Sequence, residues 1–153
     1  MATEIFSRAD SLIALVHPER KERLVLAHFE AAIECAEQLC MRGYPSKALE
    51  LIDLVLEAIP AEYSLYRVRL EVQAARALML AFRDTECLAR AGQAVSEFGE
   101  CREKHYLDFA RLEIHEAAAL VRLNRAAEGL DRLKAIGSQL RSRPDSLALA
   151  QCS

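Results

Sequence analysis

The chain has 153 residues, 52% of them apolar, with five Gly, four Pro and a formal net charge of -3. That length suits one domain with a substantial core, and so much apolar content with so little Gly and Pro excludes a mainly disordered chain. The mild negative charge argues against a general binder of nucleic acid or anionic membranes.

No apolar run reaches the roughly 18 to 20 residues that a bilayer span needs. The opening MATEIFSRAD places acids where a secretory leader needs base and a greasy core, so a cytoplasmic location is expected. Residues 3–16, TEIFSRADSLIALV, form a short amphipathic segment, with Thr3 as its cap and Ile5, Leu12, Leu15 and Val16 along one side. The segment (residues 1–17) reads as a helix that caps one end of the fold or as a homodimerisation helix. His17-Pro18 breaks the chain, and Pro18-Glu19 opens the next helix with a favourable first-turn charge.

From Pro18 to about Arg42 the pattern is helical. Ala32, Cys35, Ala36 and Leu39 follow the i, i+3, i+4, i+7 spacing, and Leu24, Leu26, Ala27 and Ile33 extend the packed side. Gly43 ends this helix, and Pro45 starts a second one on Ala48, Leu49, Ile52, Val55, Leu56 and Ile59 that stops at Pro60. The small-Leu pair Ala48-Leu49 returns as Cys87-Leu88 and Gly129-Leu130, at intervals of 39 and 42 residues. Twelve residues before each anchor stand Ala36, Ala75 and Ala117, and nine before stand Leu39, Leu78 and Leu120. A whole apolar frame recurs, which is the mark of a repeat protein. The pattern places helices over 61–82, 84–98, 100–122 and 125–142, and the segment 143–153 follows as a tail or short final helix.

The unit resembles the tetratricopeptide repeat (TPR), on Ala36, Leu39, Ala48 and the closing Pro60 of its first copy. The later copies carry Gly99 and Arg141 in place of the proline, and both intervals exceed the family's 34 residues. The resemblance implies an all-α fold of about three antiparallel hairpins over residues 18–142, stacked as a short right-handed superhelix with an N-terminal capping helix. It further implies a non-enzymatic adaptor or scaffold that binds a partner's peptide in its concave groove. Two alternatives resemble the chain in layout: a type III secretion chaperone for a secreted client, and a regulatory domain that senses a ligand or peptide.

In the family's register, Arg69, Arg76 and Arg111 face the groove, and their planar cations suit an acidic peptide or an anionic ligand. Arg83 continues the seven-residue spacing of Arg69 and Arg76. Glu30 and Glu37 hold the corresponding places of the first repeat and offer internal partners for Arg69 and Arg76. Val72, Met79 and Ile114, with Ile33, Cys40 and Val121, give the expected groove an apolar lining. The family's lysine and asparagine carboxylate clamp is not matched, since its places hold Ile33, Glu37, Val72 and Arg76.

Five cysteines without a C-x-x-C pair suggest structural thiols, with Cys35 and Cys87 at packing positions. Cys101 and His105, four apart on the expected third-repeat helix, are two ligands where zinc wants three or four, so no metal or cofactor is expected. With no Gly-rich phosphate loop, H-E-x-x-H or G-x-S-x-G, no catalytic residues are expected.

Overall fold

The computed structural model describes residues 18–142, with 18–21 described by their backbone alone. The N-terminal segment 1–17 and the tail 143–153 lie outside the described residues. Among the described residues six α-helices follow one another: α1 Pro18–Met41, α2 Pro45–Ala58, α3 Ser64–Leu80, α4 Asp84–Phe98, α5 Tyr106–Arg122 and α6 Ala126–Arg141. A 3-10 turn over Gly99–Cys101 precedes α5. Among the described residues there is no strand, so the fold is all-α.

The helices come in three pairs, each closed by the same turn. Tyr44, Arg83 and Arg125 donate their backbone N–H to the carbonyls of Leu39, Leu78 and Leu120, each at 2.9 Å. The preceding residues Gly43, Phe82 and Asn124 donate to Cys40, Met79 and Val121 at 3.1, 3.2 and 3.2 Å. This is the Schellman closure, which needs one residue in the left-handed region. Gly43 (φ 79°) adopts it freely, Asn124 (φ 64°) tolerates it, and Phe82 (φ 59°) does so against the preference of a bulky residue. The three turns stand 39 and 42 residues apart, the intervals of the apolar frame.

Within each pair the helices approach through small side chains. Ala36 and Ala48 are fully buried in the first pair, as are Ala75 and Cys87 in the second. The Cys87 thiol donates to the Ala75 carbonyl at 3.3 Å. In the third pair a Cβ on Gly129 would lie 2.8 Å from the Ala117 carbonyl oxygen and 2.9 Å from Val121 Cγ2, so only glycine fits that contact unless the chain shifts. Between pairs, α1 packs on α3 and α3 on α5, while α2 packs on α3 and α4 on α5. The core follows these seams, with Phe29, Ile52, Val68, Leu70, Phe109 and Leu112 among its large members.

Several expectations need correction. The helix expected over 61–82 spans only Ser64–Leu80, because Pro60 to Tyr63 forms a turn closed by the Tyr63 N–H on the Pro60 carbonyl. The helix expected from Glu100 begins at Tyr106, since a 3-10 turn and a second turn between Cys101 and His105 come first. This link holds most of the extra residues of the longer interval. Cys35 is exposed, because the buried side of α1 runs through Phe29, Ala32, Ile33, Ala36 and Cys40, leaving Cys35 about 100° off that line. Leu24, Leu130 and Leu133 are exposed as well, the last two because no described hairpin follows α6.

Candidate interaction surface

Helices α1, α3 and α5 pack in succession, and Arg69 and Arg111 line one small cleft with Glu30 and Glu37. Arg69 Nη1 lies 2.6 Å from Glu30 Oε1, and Arg76 Nη1 lies 3.0 Å from Glu37 Oε1. Both bridges run from α3 back to α1, so these cations are engaged within the molecule and tie the first two hairpins together. Arg111 differs: its side chain is 67% exposed and only loosely paired, 3.5 Å from Asp108 one turn earlier. Arg83 leaves the row altogether, because α3 stops at Leu80 and Arg83 instead forks onto Glu86 at the start of α4.

The apolar lining divides in the same way. Ile33, Cys40 and Val72 are buried where one first helix packs on the next, Met79 is half-buried, and Ile114 and Val121 are exposed. A shallow cleft of about 80 Å³ lies between Glu30, Glu37, Arg69, Val72 and Arg111. Residues that the sequence places in an open groove therefore include several that the stacking itself consumes.

A larger cleft, about 860 Å³, opens on the other side, where α2 and α4 flank α3. Its walls are ion pairs. Arg90 reaches Asp53 at 2.8 Å and Glu71 at 2.7 Å, clasping α4 to α2 and α3. Arg67 donates to the carbonyls of Leu56 and Ile59 at 3.2 and 2.8 Å, closing the end of α2. The sequence reading did not single out Arg90 or Arg67. The signal for Arg90 was in the repeat frame, since an arginine follows the anchors Cys87 and Gly129 by three residues in each case.

The third hairpin buries two carboxylates. Glu113 accepts from Arg102 at 2.7 Å, and Glu116 accepts from Arg132 at 2.7 Å. Burial pushes the Glu116 carboxyl up and Arg132 partly offsets this, while neighbouring Glu113 adds to the rise. Burial, helped by Arg76, holds the His115 imidazole below the usual histidine value. The Cys87 thiol is pushed up to about 11, first by burial and then by Asp84 and Glu116. Cys101 and His105 sit on turns rather than on one helix face, joined by a backbone hydrogen bond of 3.1 Å. Among the described residues no three His, Cys, Asp or Glu side chains converge as metal ligands, and no helix is long and apolar enough to cross a membrane.

The described residues thus form an all-α fold of six helices packed against one another. No protein-family model, curated protein or solved structure matches it.

Proposed function

We propose that the chain is a TPR-like helical-repeat module, a non-enzymatic adaptor that binds a peptide segment of another protein along the face of α1, α3 and α5. The observation that carries this reading is the recurrence of one turn, with the same hydrogen bonds, at Gly43, Phe82 and Asn124. A chain that repeats a supersecondary unit and stacks it makes an extended surface, the usual means by which such proteins hold a partner. In this reading the hairpins wind as a short right-handed superhelix.

Recognition falls mainly on the part of the face that stacking leaves open. Arg111 offers an accessible cation to an acidic residue, and Met79, Ile114 and Val121 offer apolar contact. Arg69 and Arg76, held by Glu30 and Glu37, shape the surface and contribute less free charge. The test is affinity capture from native cytosol with wild type beside Arg111→Glu/Met79→Glu, read by mass spectrometry. A protein retained by wild type and lost from the variant, with both melting within a few degrees, supports the reading. An identical partner list for both would remove the face from consideration.

A further inference from the structure

The three hairpins do not end alike. Ile33 and Val72 hold one register place in α1 and α3, and each is 4% exposed, lying where α3 packs on α1 and α5 on α3. Ile114 is their counterpart in α5 and is 42% exposed. On the second helices, Leu49 and Ile52 are 6% and 0% exposed, whereas their counterparts Leu130 and Leu133 are 53% and 41% exposed. Leu107 and Val121, seven residues to either side of Ile114, are equally open. Seven-residue steps drift by only about 20°, so these three lie in one line along α5. The close seat of Gly129 against Ala117 and Val121 holds α6 tightly on α5.

We propose that this surface pairs with itself in a second copy of the chain, across a two-fold axis beside Ile114. A line of apolar residues spaced evenly about its middle is self-complementary when reversed. Antiparallel α5 helices then set Leu107 on the partner's Val121, and Ile114 on the partner's Ile114. Area agrees with this arrangement, since five such half-open side chains present roughly 400 Å² of apolar surface. That is close to the apolar share of the ~800 Å² each partner gives to an interface of standard size. The pairing takes up Ile114 and Val121, which the peptide-binding reading also uses, so the two compete for α5 and the dimer leaves a peptide only Met79 and the faces of α1 and α3.

The test is sedimentation equilibrium of the full chain from about 1 to 100 μM, beside Ile114→Arg. Wild type should approach twice the monomer mass, and Ile114→Arg should raise the dissociation constant at least about 100-fold, because it sets two cations against each other at the axis. Unchanged circular dichroism and melting of the variant at the lowest concentration establish that it is folded. A second variant reads the symmetry directly: Ile114→Cys with all five native cysteines changed to serine should cross-link to itself under mild oxidation. A wild type that stays monomeric throughout overturns the proposal, as when another segment of the chain covers the face. A dimer that survives Ile114→Arg, or one in which the introduced thiol does not cross-link, overturns it equally.

Discussion

At the scale of single residues, the contacts between helices decide the sign of a substitution. Gly92 sits exposed within α4, with nothing within 4 Å of where a Cβ would go. Gly92→Ala should therefore stabilise by about 1 kcal/mol through helix propensity alone. Gly129→Ala makes the same chemical change against a carbonyl 2.8 Å away, and should destabilise by about 1 to 3 kcal/mol because the pair must part. Urea midpoints measure both, and a shift of the same sign in the two variants would contradict the packing of the third hairpin. The thiols are a second case. Cys35 is exposed, while Cys87 is buried and its thiol pushed up to about 11. Iodoacetamide at pH 8 should label Cys35 in the native protein and Cys87 only after denaturation, as peptide mapping will show. Native labelling of Cys87 would mean that the second pair opens. Phe82 is the residue with no counterpart in its chemistry at the other two turns. Its ring lies 4.6 Å from the Arg122 guanidinium, which also bonds the Met79 carbonyl and Asp84, so the contact partly offsets the unfavourable backbone.

At the scale of helices, α5 carries two adjacent side chains whose titration differs between folded and unfolded chains. His115 is depressed in the fold, so below the unfolded value near 6.5 the unfolded chain binds more protons, and stability falls as pH drops through that window. Glu116 is raised, so the folded chain binds more protons above the unfolded carboxyl value, and stability falls as pH climbs from there toward the folded value. As pH falls the histidine costs stability while the carboxyl restores it, and these opposite signs make the histidine separable. His115→Gln should lose less stability than wild type between pH 7.5 and 5.5, measured as the change in urea midpoint. Equal losses in both proteins would assign the pH dependence to other groups. The boundaries of α5 also show what sequence pattern can and cannot supply. Apolar spacing located its body through Phe109, Leu112, Ala117 and Leu120, but the hydrogen bonds that replace its expected first turn run through backbone groups and leave no mark on that spacing.

At the scale of the molecule, burial is uneven. Helix α3 touches α1, α2, α4 and α5, and buries Val68, Leu70, Val72, Ala74, Ala75, Ala77 and Leu78. Helix α6 packs on α5 and buries only Gly129 and Ile136. Opening starts where a helix has the fewest packed neighbours. Amide exchange on the Ile114→Arg variant should be slowest in α3 and fastest in α6, and equal protection in the two helices would argue for a single cooperative unit.

The sequence by itself determined the helical class and the bodies of the six helices. Apolar spacing, Gly43, Pro45 and the recurring small-Leu anchors are local signals, and the same hydrogen-bonded turn stands at each of the three places they mark. It also held the partners of Arg69 and Arg76, since Glu30 and Glu37 share their register. What only the tertiary structure decided is which side chains remain available. Val72 and Ile114 are equivalent in the repeat frame, yet one is buried and the other open, because a following first helix packs beside α3 and none of the described helices packs in that place beside α5. Exposure depends on neighbours distant in the chain, and a periodic pattern carries no record of them.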